Sequence, residues 1–344
     1  MRKSLLLILL LLLPACAGSI REATPLPTAP AQQPLPTPTL ALAQATASPA
    51  LPTETVTPSA TPLPPTPSPS ATPLPSPTSN PTPFTFAVIG DYGQAGPGEA
   101  AVAALVDSWD PALIITTGDN NYPDGAAATI DENIGQYYAG YIYPYSGEYT
   151  TTTAGPGINR FFPTLGNHDY YADGAQPYFD YFTLPGNERY YDFVEGPIHF
   201  FALNSDFNEP DGVGVNSAQA QWLQTQLAAS TAPWKIVYMH VPPYSSGHHG
   251  SGEWMRWPFA QWGATAVISG HDHHYERLQV DGILYFVNGL GGGAIYDLDD
   301  PLPATQTRFT GERGAMRVRA GSDSITFEFI TAAGELVDSH TLAR

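Results

Sequence analysis

From Phe84 onward the chain is punctuated by short apolar runs, Phe84–Ile89, Leu113–Thr117, Phe161–Leu165, Lys235–Tyr238 and Thr265–Ile268. Each is rich in Val, Ile, Phe or Tyr and bounded by Gly or Pro, which predicts buried strands. Glu99–Ser108 and Asp131–Ala139 predict helices between them. Ser217–Ala229 predicts another, with Ser217 as its cap and Trp222, Leu223 and Leu227 on one face, and Trp254–Trp262 follows before the next strand. The last third changes character: Tyr275–Val280, Ile283–Val287, Ala315–Ala320, Ser324–Ile330 and Glu335–Leu342 are successive strands joined by Asp-Gly and Gly turns without helices between them. An α/β fold is expected, with a second, largely antiparallel sheet packed on the first. His199, in the alternating run Ile198–Leu203, has the setting of a structural residue. The aromatic clusters Tyr137–Tyr149, Tyr178–Phe182 and Tyr190–Phe193 either fill the core or line a substrate mouth.

Five apolar runs are each followed at once by residues that bind metals: Gly90-Asp91-Tyr92-Gly93, Gly118-Asp119-Asn120-Asn121-Tyr122, Gly166-Asn167-His168-Asp169, Met239-His240-Val241 and Gly270-His271-Asp272-His273. In open α/β sheets, ligands bind beyond the carboxyl ends of the strands, so these side chains can converge although they are distant in sequence. Asp91, Asp119, Asn167, His240, His271 and His273 together offer carboxylate, amide and imidazole donors, a mixture that suits Fe, Zn or Mn better than Ca. They are too many for one tetrahedral ion, and two metals bridged by a shared carboxylate are the economical reading. Two ions roughly 3.5–4 Å apart generate hydroxide near neutral pH and clamp the attacking and leaving oxygens of an in-line displacement. That is the chemistry of a two-metal phosphoesterase.

From about Phe84 to the C-terminus these motifs resemble the calcineurin-like metallophosphoesterases, and within them the purple acid phosphatases, which include the tartrate-resistant type. Most of the wider superfamily begins with Asp-x-His, whose His binds the first metal; here that third position is Gly93. Three residues after Asp119 stands Tyr122, and Gly-Asp-x-x-Tyr is similar to the purple acid phosphatase motif whose tyrosinate binds ferric iron. A phenol, with a reference pKa of about 10, ionises at neutral or acid pH only beside a hard, highly charged cation. The resemblance implies a four-layer α/β/β/α sandwich of two mixed sheets. It also implies that Asp91, Tyr122 and His273 hold Fe(III), that Asp119 bridges, and that Asn167, His240 and His271 hold a divalent Fe, Zn or Mn. His168 would protonate the leaving group with Asp169 orienting it, His248 and His249 would grip phosphate, and His274 and Glu276 would support the His271 loop. The implied reaction is hydrolysis of small phosphomonoesters by a hydroxide that attacks phosphorus in line. A phosphodiesterase of nucleotides or lipid headgroups is the nearest alternative, and a non-catalytic surface-binding lipoprotein a more distant one.

Other motifs lead elsewhere or nowhere. Gly289-Leu290-Gly291-Gly292-Gly293-Ala294 superficially matches a dinucleotide fingerprint, but Ile295–Pro301 lacks the helix that would bind pyrophosphate. No serine-hydrolase elbow or P-loop occurs. Residues 1–19 combine Arg2 and Lys3 with an apolar run Leu5–Leu13 too short to span a bilayer, as an export signal does. Leu13-Pro14-Ala15-Cys16 resembles a bacterial lipoprotein processing box that would leave Cys16 lipidated in the cell envelope. Ala15-Cys16-Ala17 could instead be an ordinary cleavage site that releases a soluble protein. Cys16 is the one cysteine, which excludes disulfides and thiolate ligands from the remainder. Residues 20–83, dominated by Pro, Thr, Ser and Ala, predict an extended disordered linker, and residues 84–344 the catalytic domain. A formal net charge of −19 argues against nucleic acid or an anionic membrane surface as partner.

Overall fold

The computed structural model describes residues 83–149 and 157–344. The expected export signal, the expected Cys16 anchor and the expected linker up to residue 82 lie outside the described residues. The strands are β1 Phe84–Ile89, β2 Leu113–Thr116, β3 Phe161–Pro163, β4 Tyr191–Glu195, β5 Ile198–Ala202, β6 Trp234–Tyr238, β7 Ala266–Ser269, β8 Tyr275–Val280, β9 Ile283–Asn288, β10 Thr305–Phe309, β11 Gly314–Ala320, β12 Ser324–Thr331 and β13 Leu336–Ala343. They form two mixed sheets, one ordered β13-β12-β11-β1-β2-β3 and the other β10-β8-β9-β7-β6-β5-β4. In the first, β1, β2 and β3 run parallel; in the second, β5, β6, β7 and β9 do.

The central strands are apolar throughout because both of their faces are covered. In β6 and the residue after it, Ile236 and Tyr238 join the core shared by the two sheets. Val237 and Met239 join a second cluster with Leu223, Leu227 and Phe259 from the outer helices. Across the shared core, the Phe86 and Phe200 rings meet edge-on at 5.0 Å, and Phe286 and Phe327 lie 4.9 Å apart. The helices are α1 Pro97–Ser108, α2 Gln136–Tyr138 continuing a π-helical turn at Asp131–Gly135, α3 Gln176–Tyr181, α4 Ala218–Ala229 and α5 Phe259–Trp262. Ser217 caps α4 by accepting from Ala220 N at 3.1 Å.

Two expectations need correction, and two strands went unforeseen. The C-terminal strands do not build a separate antiparallel sheet: β8, β9 and β10 complete the second sheet, while β11, β12 and β13 extend the first through β1. Trp254–Trp262 is not one helix but a 3₁₀ turn, Glu253–Met255, and the short α5, with Pro258 between them. The strands β4 and β10 gave no clear signal, since each is an edge strand whose polar residues dilute the apolar pattern. The aromatic clusters mainly fill the core, with Tyr138, Tyr141, Tyr178, Phe182 and Tyr191 buried; Tyr143 and Tyr149 are exposed. His199 is held between Asp192 (2.7 Å) and Ser230 (2.9 Å), in keeping with its structural reading.

One buried acid opposes the fold. Glu99, in the first turn of α1, accepts from Gln94 N through one oxygen and leaves the other without a partner. Burial pushes its carboxyl well above the usual range. A carboxyl raised on folding destabilises the native state as pH climbs past the unfolded value of about 4.5. Glu99→Gln is therefore expected to raise the melting temperature at pH 8, with the gain vanishing below about pH 4.5; a gain independent of pH in thermal melts would contradict this.

Candidate metal centre

Asp91, Asp119 and Asn167 follow β1, β2 and β3 of one sheet, and His240, His271 and His273 follow β6 and β7 of the other, so the carboxyl ends of both sheets face one site. The turns that deliver them are tight. Asp91, Asp119 and His271 have φ of 54°, 51° and 70°, a left-handed conformation that costs a non-glycine residue about 1–3 kcal/mol where tertiary structure enforces it. Gly90 and Gly270 leave room for Thr117 and Asp91, where a Cβ on either would collide. Gly291 N and Gly293 N donate to Gly90 O and Asp91 O at 2.9 and 2.8 Å. The glycine run that mimics a dinucleotide fingerprint is thus a brace behind Asp91.

Ligand atoms of Asp91, Asp119 and His240 all lie within 4.8 Å of one another, and all three residues are buried. Two groups of donors meet at Asp119. On one side, Tyr122 Oη stands 3.1 Å from Asp119 Oδ2, 3.1 Å from His273 Nε2 and 3.4 Å from Asp91 Oδ1. On the other, Asp119 Oδ1 is 3.4 Å from His240 Nε2, which lies 3.0 Å from both Asn167 Oδ1 and His271 Nδ1.

The tautomers test whether a cation fits. His240 Nδ1 faces the carbonyl of Thr117 at 2.8 Å, and His273 Nδ1 faces that of Ala294. A carbonyl can only accept, so each Nδ1 carries a proton and each ring turns its Nε2 inward, where the neutral form would present a lone pair. His240 Nε2, His271 Nδ1 and Asn167 Oδ1 then converge, and so do His273 Nε2, Tyr122 Oη and Asp91 Oδ1. Such a set has too few protons to satisfy it and suits a cation in each group. Without a cation, protons take its place: burial disfavours charge on both rings, but the Asp119 and Asp91 carboxylates outweigh it and push His240 up, and Asp91 does the same for His273. Burial, then the neighbouring His240, pushes His271 down to about 2, leaving it neutral. Burial, then the Asp119 and Asp91 charges, pushes the Tyr122 phenol well above its ordinary value, so that only a strong cation could make it a tyrosinate.

The position of Gly93 explains the exchange with Tyr122. A side chain at 93 would overlap the carbonyl of Asn120, and Tyr122 N donates to Gly93 O at 2.7 Å. The segment that brings Tyr122 inward occupies the space a histidine at 93 would need.

Asp169 needs a corrected role. Its buried carboxylate accepts from Asn120 N (3.0 Å), Asn120 Nδ2 (2.8 Å) and Gly166 N (2.8 Å), tying the Asp119 turn to the Asn167 turn instead of orienting the His168 ring. Burial, then the Asp119 charge, pushes it up to about 7. His168 is held instead by Pro123, whose carbonyl meets its Nδ1, and its Nε2 lies 3.9 Å from Asp119 Oδ2.

His248 and His249 are exposed at the same opening, the His249 ring 4.5 Å from that of His271. Their loop is pinned by two buried carboxylates. Asp272 accepts from His249 N (2.7 Å) and Ser245 Oγ (2.5 Å), and Glu276 accepts from Ser246 N and Oγ (both 2.8 Å). His274 leans on Glu276 at 3.2 Å, so this pair supports the His248 loop more directly than the His271 loop. Asp272→Asn is expected to raise KM for a phosphate ester by about tenfold or more with less effect on kcat, because the loop that would meet substrate loosens. Steady-state kinetics showing an unchanged KM would refute that role.

Two residues escaped sequence reasoning. Tyr296 stacks on His273 at 4.1 Å, and Tyr171 accepts from Asn167 Nδ2 at 2.9 Å. Tyr171 sits four residues after Asn167, a helical spacing that hints at the contact; Tyr296 carries no local signal.

A family model described as calcineurin-like phosphoesterase matches residues 84–275, more than half of the chain. Purple acid phosphatase 22 of Arabidopsis thaliana is 30% identical over 212 residues, covering 57% of this chain and 46% of its own. Tartrate-resistant acid phosphatase type 5 of Rattus norvegicus is 29% identical over 152 residues, or 39% of this chain and 45% of its own. The chain spans about half the length of these curated relatives. A purple acid phosphatase from yellow lupin seeds shares the fold with a TM-score of 0.61 at 17% identity, over 76% of this chain and 53% of that one. With its strand-end ligand set and the matched family model, the chain belongs to the calcineurin-like phosphoesterase family, where its relatives include purple acid phosphatases.

Proposed function

We propose that the protein is a metal-dependent hydrolase of phosphate monoesters with a two-metal centre. The observation that carries this reading is the pair of donor groups meeting at Asp119, one built on Tyr122, Asp91 and His273 and the other on Asn167, His240 and His271. Fe(III) in the first group and divalent Fe, Zn or Mn in the second would acidify a water and offset the charge of the ester oxygens.

The chain's own residues set the geometry. Asp169 and Asn120 lock the Asp119 and Asn167 turns together, so the two groups keep a fixed separation. With Nδ1 committed to Pro123, His168 can release a proton from Nε2 only as the imidazolium, which suits protonation of a leaving oxygen in acid. His248 and His249 stand at the opening, where they would meet the phosphate oxygens. The test is turnover by the full chain reconstituted with Fe and Zn, on a phosphomonoester and its matching diester, against a chelator-treated control. Metal-dependent preference for the monoester is expected. Faster cleavage of the diester would make the protein a phosphodiesterase, and absence of turnover on both would remove the catalytic reading.

A further inference from the structure

Two exposed aromatic side chains stand on segments tied to the candidate centre. Tyr171 is 62% exposed and Phe207 71%, so neither contributes to the core. Both are nonetheless held in place. The Tyr171 ring lies 5.0 Å from that of His168, with its hydroxyl on Asn167 Nδ2 at 2.9 Å. Phe207 lies against the half-buried Trp254 at 4.5 Å, and Trp254 Nε1 donates to Ser205 O at 3.2 Å.

The Phe207 loop is fastened to the site at two points. Ser205 Oγ accepts from Val241 N, the residue after His240, at 2.8 Å. Asn204 Nδ2 donates to Tyr170 Oη at 2.6 Å, joining the loop to the turn that carries Asn167 and His168. Buried Glu209 accepts from the same Asn204 Nδ2 at 2.9 Å and from Arg189 Nε at 3.1 Å, which stiffens the loop. Exposed rings thus border the side of the opening where His168 would meet a leaving group. Tyr171 and Trp254 are fixed by their polar atoms and Phe207 by its contact with Trp254, and rings so held offer flat faces, which select a flat partner over a flexible aliphatic one. The chain's net charge of −19 favours a neutral leaving group over an anionic one such as a polyphosphate.

We propose that Tyr171, Phe207 and Trp254 form a stacking platform for the base of a nucleoside monophosphate, making such nucleotides the preferred esters of this site. The inference rests on the phosphomonoesterase reading above. The matched probes are adenosine 5′-monophosphate and ribose 5-phosphate, which share the ester and the sugar and differ in the base. Base–aromatic stacking predicts a kcat/KM ratio of about 10 or more in favour of the nucleotide for the metal-loaded full chain. The ratio should fall towards one in Phe207→Ser and return in Phe207→Trp. A wild-type ratio near one, or a ratio unchanged in Phe207→Ser even if both rates drop together, overturns the platform. If neither ester is turned over, the phosphomonoesterase reading fails, and calorimetric Kd values for the same pair judge the platform separately. A nucleotide preference lost in Phe207→Ser sustains it, and equal affinities overturn it.

Discussion

Asp119→Asn is expected to lower phosphomonoester turnover by more than about 100-fold, beyond the loss typical of an outer partner of a metal ligand. Asp119 reaches both donor groups, with Oδ2 3.1 Å from Tyr122 Oη and Oδ1 3.4 Å from His240 Nε2. The amide would keep the shape and could still accept the 2.9 Å hydrogen bond from His168 N, so the fold should survive. It removes the negative charge, and its NH2 would turn a donor towards groups that need a cation. Metal analysis should find about half the wild-type content or less, with an unchanged circular dichroism spectrum. Full metal content and wild-type turnover would show that Asp119 joins nothing.

The second large effect belongs to His168. Removing a general acid lowers a rate by about 10²–10⁴-fold, and the loss grows with the basicity of the leaving oxygen. His168→Ala should therefore fall by that factor on an alkyl phosphate and far less on 4-nitrophenyl phosphate, whose phenolate leaves without a proton. Asp169→Asn should behave differently, losing activity equally on both esters. Its carboxylate holds Asn120 and Gly166 and makes no hydrogen bond to the His168 ring. Equal losses on the two esters in His168→Ala would assign His168 to structure.

Much of the candidate site is legible in the sequence because each candidate ligand stands directly after an apolar run, and strand ends converge whatever lies between them. The same local signal locates the parallel strands. Contacts made between distant segments left no such trace. Asp169 reaches Asn120, 49 residues away, and Asp272, flanked by two candidate ligands, turns back to hold Ser245 and His249. Which sheet each C-terminal strand joins is decided by pairing such as Phe84 with Ala320. Edge position hides β4 and β10, because one side of such a strand has no partner and tolerates polar residues. The Gly93–Tyr122 exchange was visible as a pattern, but its steric cause, the carbonyl of Asn120, needed the fold.

The measurement that bears most directly on the central claim is the visible absorption spectrum of the iron-loaded full chain, taken with metal analysis, for wild type and Tyr122→Phe. Tyr122 Oη lies 3.1 Å from His273 Nε2 and from Asp119 Oδ2, among donors that suit a hard cation. A tyrosinate-to-Fe(III) charge-transfer band in the wild type, lost in Tyr122→Phe, is the predicted result. A metal-loaded, active wild type without that band, or a band that survives in Tyr122→Phe, would contradict the ferric site.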